Sequence, residues 1–346
     1  MSTAQLTSPD TASGPAKEPT PARRSRLHGL AWLAWRQNRL AVWTVGGAML
    51  LVAAVQLFLH FKLQREISLY HGECRDGGGW GVPACDRFIT DVNDAVNWTA
   101  DWMHRPFFLL PAVVGMFLGA PLLAQEYERG TVRMIRAQSV SPARWLTARL
   151  AAPAALVILA IGLFAALNTW LALDMNRLDF GRNDLFPGFT YATIGLAPLA
   201  WSLFALAVGV AVGQLVRRTV VSMLVTGVLV LGAELLVRSL RVYFVPVSEA
   251  TGNLGGQISH WRGVPGQIPY GAWLVDHGPV LANGTRATEA DCYRLGDACD
   301  KATQAWATYH PNSHFIPMQL VEGGLLLALS AAMVFLVYRR VTRSAV

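Results

Sequence analysis

The chain has 346 residues, 53% of them hydrophobic and only 15% charged, with a formal net charge of +7. Soluble domains carry roughly 25% charged residues; a chain this oily is not disordered, and four cysteines are too few for a disulfide-built miniprotein. A nucleic-acid binder would set basic clusters on a polar chain, whereas a mean hydropathy of +0.34 with a pI near 9.5 points to a membrane protein with its positive charge on one side.

Residues 1–26, rich in Ser, Thr, Pro and Ala, read as a disordered cytoplasmic tail, and residues 27–346 as one transmembrane domain. A hydrocarbon core of about 30 Å takes about 20 helical residues, and six apolar runs are long enough. They span about 40–59, 107–124, 146–173 (apolar from Leu150), 191–215, 219–237 and 316–338. The first, second and fourth hold no charge; the fifth contains Glu234 and the sixth Glu322. All are too long for strands and none alternates like a barrel wall. The expected fold class is therefore an all-α polytopic membrane protein with six transmembrane helices. Its two sizeable extracytoplasmic loops cover about 60–106 and 238–315. The first run is too long for a signal-peptide core, and no small-x-small site follows before His60 and Lys62, so it reads as an anchor.

Arginines set the direction. The amino-terminal arm, the loop after the second span, the Arg217-Arg218 turn and the tail together hold 16 positive residues and four acids. The opposite loops hold 13 positive residues and 16 acids. By the positive-inside rule both termini are cytoplasmic and the chain is a multi-pass protein of the cytoplasmic membrane. Cys74 and Cys85 fall in the first outer loop, Cys292 and Cys299 in the last. Three pairings are open, and proximity alone favours the two local ones. A local bridge contributes roughly 3 kcal/mol in the chain-entropy model.

A phosphate-binding Walker loop needs a Lys after a Gly, and Lys17, Lys62 and Lys301 follow Ala16, Phe61 and Asp300. ATP is therefore not hydrolysed through such a loop in this chain, and no catalytic or metal constellation stands out. The densest polar sequence on the cytoplasmic side is Gln125-Glu126-Tyr127-Glu128-Arg129-Gly130-Thr131-Val132-Arg133-Met134-Ile135-Arg136. The second span is expected to run as helix through Glu128 and stop at Gly130. A short interfacial helix follows over 131–138, and Ser141-Pro142 caps and opens the third span. This segment is either a surface loop binding lipid phosphates or a docking element that passes a partner's push into two spans.

The stretch Gly119-Ala120-Pro121-Leu122-Leu123-Ala124-Gln125-Glu126-Tyr127-Glu128-Arg129-Gly130-Thr131, then Ala137-Gln138-Ser139-Val140-Ser141 and Arg144-Trp145-Leu146, resembles bacterial export-type ABC transporter permeases, especially actinobacterial members. The resemblance implies a six-span subunit working with a separately encoded ATPase, which binds ATP and Mg. It also implies an amphipathic helix at Leu30–Arg39 lying at the membrane surface. By position, Glu126, Glu128, Arg129, Gly130, Thr131 and Arg133 would form the ATPase-coupling segment, about 125–140. The partners implied are that ATPase, a second copy or a paralogous permease, and the bilayer, with no nucleic acid. The family commonly has a short re-entrant structure between the last two spans, where this chain has about 78 residues.

Other signals are weaker. Glu234, Glu322 and Asn168 are polar groups within spans and candidates for a translocation path, or for structural pairs such as Glu234 with Arg238. Asn168 and Gln56 are also candidates for linking helices. Gly115-x-x-x-Gly119 and Gly209-x-x-x-Gly213 permit close helix contact, here expected within the subunit. His310 and His314 are four apart but lack a third ligand. The leading expectation is the membrane subunit of an exporter with unidentified cargo. The alternatives are a six-span sensor or scaffold binding through its outer loops, and an outer-leaflet enzyme using His310, His314 or Glu322.

Overall fold

A computed structural model describes residues 43, 47, 50–62, 64–65, 68–69, 85–87, 90–91, 94, 98, 104–130, 141–175, 185–186, 188–253, 264–268 and 271–343. The chain divides into two compact units at Gly47. Of the first only Trp43 and Gly47 are described; the second, Ala48–Val346, carries the helix bundle.

Among the described residues, five helices are long and apolar enough to cross a membrane. They are α2 (Pro106–Glu128), α3 (Pro142–Met175), α5 (Ala197–Val216), α6 (Thr219–Leu240) and α9 (Phe315–Arg343). The run at 40–59 is represented by a shorter apolar helix, α1 (Leu50–Lys62), and the rest of it lies outside the described residues apart from Trp43 and Gly47. The centre of the bundle is α5. Of its most apolar stretch 72% is buried, against 22–44% for the other four. A helix apolar on every side belongs in the middle. Small residues along α5 let its neighbours approach, and Trp201 and Phe204 fill the space near Tyr191, Met318 and Leu326. The outer helices turn Leu159 and Leu163 of α3, Leu224 and Val228 of α6, and Leu320 and Phe335 of α9 away from the core.

The two small-residue motifs meet each other. A Cβ on Gly119 would lie 2.7 Å from the carbonyl oxygen of Leu206, and one on Gly209 would press on the Gly115 carbonyl and lie 2.7 Å from the Ala120 nitrogen. α2 and α5 thus pack backbone to backbone within one chain, as van der Waals contact between membrane helices requires. Across Gly115–Gly119 the helix α2 takes a π turn, just ahead of Pro121, which has no N–H to give to the preceding turn.

The fourth span is not continuous. The short helix α4 (Gly188–Thr193) stops, Gly195 takes φ +66, and α5 begins at Ala197. Gln319 of α9 bridges the break: its Oε1 accepts from Leu196 N at 2.6 Å and its Nε2 donates to Ile194 O at 2.9 Å. Thr169 Oγ1 accepts from Gly195 N at 2.7 Å. Backbone groups freed at membrane depth need partners, and two side chains supply them.

The all-α expectation holds for the bundle and not for the segment between α6 and α9. That segment contains β1 (Ser248–Asn253), β2 (Trp273–Val280) and β3 (Gln304–His310) in an antiparallel sheet of order β1-β3-β2. Helices α7 (Glu289–Leu295) and α8 (Asp297–Asp300) precede β3. Cys292 and Cys299 are disulfide-bonded across seven residues and pack with Ala287, so local pairing holds for this pair. Cys85 is disulfide-bonded as well; Cys74 lies outside the described residues. The strands escape a hydropathy reading because Ser248–Asn253 has no apolar alternation and Trp273–Val280 is interrupted by Asp276, His277 and Gly278.

Candidate functional site

The last turn of α2 holds the first part of the proposed coupling segment. The helix runs through Glu128, Arg129 follows as its cap, and Gly130 takes φ +70, which glycine adopts without penalty. On the far side of 131–140, Ser141 Oγ accepts from Arg144 N at 3.4 Å and Pro142 opens α3. Three consecutive residues of α2 then engage three different elements. Glu126 Oε1 accepts from Arg149 of α3 at 2.8 Å. The Tyr127 ring lies 5.2 Å from the guanidinium of Arg217, the residue with φ 58 that turns α5 into α6. Glu128 Oε2 accepts from Thr219 N at 3.0 Å and Thr219 Oγ1 at 2.6 Å. The N-cap position of α6 has no side-chain hydrogen bond of its own, so a carboxylate from another helix caps it and meets its positive end. Partly exposed ion pairs contribute only about 0–1 kcal/mol; what these contacts do is tie the end of α2 to α3, to the α5–α6 turn and to α6. Thr131 and Arg133 lie outside the described residues.

At the other end of the bundle, where α6 leaves for the sheet and α9 returns, the span acids Glu234 and Glu322 come together. Glu322 is fully buried. Arg241 Nε donates to its Oε2 at 3.0 Å, Arg241 Nη2 to its Oε1 at 3.2 Å, and Trp201 Nε1 to its Oε1 at 2.7 Å. The Arg241 guanidinium also lies over the Tyr191 ring, 3.7 Å from its centre. A buried carboxylate is tolerated when paired and fully hydrogen-bonded, and this one is. Glu234 is also buried and lines a small cavity with Trp201, Arg238 and Arg241, but it forms no ion pair with Arg238, whose guanidinium instead faces the Phe189 ring at 5.7 Å.

Asn168 sits in a separate polar cluster. Its Nδ2 donates to Thr193 O at 2.9 Å, and its Oδ1 accepts from Gln56 Nε2 at 3.4 Å. His104 Nδ1 and Thr193 Oγ1 are 2.6 Å apart. Asn168 and Gln56 thereby bond α3 to α1. His310 Nδ1 and His314 Nδ1 lie 3.2 Å apart, and His310 Nε2 donates to Val242 O at 3.2 Å. Burial holds the His310 imidazole below the ordinary histidine range. Among the described residues no group of three or more His, Cys, Asp or Glu is placed to hold a metal.

Sequence reasoning missed Arg241, Trp201, Gln319, Arg149 and Thr219. One signal was available: an acid inside a span demands a partner, and Arg238 and Arg241 were the basic residues near the end of the fifth span. Nothing local marks Gln319 or Thr219, whose roles exist only in three dimensions.

A family model described as ABC-2 membrane transporter related matches residues 46–241. The chain belongs to that family. No curated protein and no solved structure matches it. The match runs from α1 through Arg241, so the sheet and α9 lie beyond it. Membership makes this a multi-pass transporter permease, a type of membrane subunit generally not itself catalytic.

Proposed function

We propose that this permease is the membrane subunit of an ATP-driven exporter, working with a separately encoded ABC ATPase that docks on residues 125–140. What supports the reading most is the linkage just ahead of that segment. Through Glu126, Tyr127 and Glu128, the end of α2 is tied to α3, to the α5–α6 turn and to α6. A push delivered at 129–140 therefore reaches three elements together rather than α2 alone. ATP and Mg act on the partner, and this chain supplies the moving path.

The arginine distribution supports a cytoplasmic side for both termini and the coupling segment. The sheet then faces outward, where its Cys292–Cys299 bridge meets an oxidising environment. Two copies, or one copy with a paralogue, enclose a path that alternates between inward-open and outward-open as the ATPases close on ATP. Glu322 and Asn168, buried and hydrogen-bonded, serve in this reading as ties between helices rather than as cargo contacts. The test is co-expression of the tagged chain with an ABC ATPase subunit from the same organism. Affinity capture in detergent should retain the ATPase; capture of the permease alone under conditions that preserve its fold would refute the partnership.

A further inference from the structure

Two outer helices, α3 and α9, pack on the central helix α5, and a groove of about 380 Å³ runs between them with α5 as its floor. Small side chains leave the space: Ala151 and Ala154 on α3, Ala207 on α5 and Ala331 on α9. Leu150, Leu206, Val210 and Leu327 supply the apolar wall. The rim faces away from the bundle, since Ala151, Leu327 and Ala331 are exposed. Its volume is that of a small-molecule site, about 300–1,000 Å³.

The polar groups in its wall are already engaged. Thr147 Oγ1 donates to Ala143 O at 2.9 Å, so at the end of the groove Tyr338 OH donates to Thr147 Oγ1 at 2.8 Å. Ser330 Oγ donates to Leu326 O at 2.6 Å. A polar ligand would be left with unsatisfied groups here, whereas hydrocarbon has none to satisfy. The Thr147–Tyr338 end is also the basic end. Arg144 lies one turn before Thr147 on the same face of α3, and Arg339 and Arg343 follow Tyr338 on α9; all three are exposed. Neither 141–150 nor 334–343 contains an acid. The acids that close α2 at this end are committed, Glu126 to Arg149 and Glu128 to Thr219. An apolar groove that ends at a cluster of arginines suits a lipid with an anionic headgroup.

We propose that the groove holds an acyl chain of an anionic phospholipid, whose phosphate is drawn to Arg144, Arg339 and Arg343. The chain fills the space that the alanines leave and joins α3 to α9 along the length where the Thr147–Tyr338 bond does not reach. The headgroup supplies the negative charge that this end of α3 and α9 lacks. The lipid is a bound component of the bundle and not its cargo. This holds whether or not an ATPase drives the protein, so it stands or falls separately from the exporter reading.

The experiment is native mass spectrometry of the purified full-length protein, delipidated and then supplied with phosphatidylglycerol or with phosphatidylcholine of the same acyl chains. The wild type should keep a phosphatidylglycerol molecule under activation that strips phosphatidylcholine. Ala151→Phe, which fills the groove from its exposed rim, should lose that lipid, while Ala155→Phe, exposed on α3 but outside the groove, should keep it. Arg144→Gln should weaken phosphatidylglycerol binding about fivefold, the share of one surface arginine, and leave phosphatidylcholine unchanged. Equal retention of the two lipids by the wild type overturns the proposal, and that reading needs no variant to fold. Undiminished phosphatidylglycerol in Ala151→Phe overturns it as well. So does a protein dimer that Ala151→Phe dissociates with no change in bound lipid, which would give the groove to a second copy.

Discussion

Glu322 shows what one charge requires inside a bundle. Its two oxygens take three donors from Arg241 and Trp201, so removing part of the set leaves the remainder buried without a partner. Breaking a buried pair from one side costs about 3–5 kcal/mol. Glu322→Gln should therefore lower the melting temperature of the purified protein markedly in a thermal scan. Joint replacement, Arg241→Met with Glu322→Met, should recover most of the loss, because an apolar pair leaves no orphaned charge. That Glu322 needed a partner was legible in the sequence; which arginine supplied it was not, since the two sit 81 positions apart and meet only when α6 and α9 pack. Asp291 gives a milder case. Hydrogen bonds from the Thr288 hydroxyl and backbone, foremost among its influences, hold its carboxyl below the ordinary aspartate range. A depressed carboxylate contributes stability above its unfolded value and loses it as pH falls through the folded one. Opening of α7, followed by hydrogen exchange, should accelerate as the pH drops below about 4; Asp291→Asn should flatten that dependence.

Helix contacts were partly legible. The two small-residue motifs announced a close approach, and the structure sets them against each other along α2 and α5. Ser141-Pro142 and Gly130 likewise mark helix ends by residue type, because a cap and a positive φ are local requirements. The break between α4 and α5 escaped notice because its stabiliser, Gln319, acts from 123 positions away. The glycines separate packing from propensity. Gly209→Ala drives a methyl into the backbone of α2 and should destabilise by about 1–3 kcal/mol, as overpacking does. Gly162→Ala on α3 meets nothing within 4 Å, and helix propensity favours Ala by up to about 1 kcal/mol. Thermal unfolding of the two variants should thus shift in opposite directions.

Across the whole molecule, hydropathy carried the reading furthest, because a bilayer constrains the length and polarity of a helix more severely than water does. The sheet between α6 and α9 was hidden for the complementary reason: its short strands are half polar, and pairing rather than composition defines them. The segment proposed for coupling stands out in the sequence by its charge and glycine, and its role follows from the resemblance. Its ties to α3 and α6 rest on Arg149 and Thr219, which carry no local signal. The central claim is that the partner ATPase binds beneath Gly130 and that the sheet lies on the opposite side of the membrane. Photo-cross-linking in cells expressing both proteins tests it most directly, with the photoreactive residue placed either at position 133 or at position 249. The account predicts a cross-link to the ATPase from position 133 and none from position 249; a cross-link from 249 with none from 133 would contradict it.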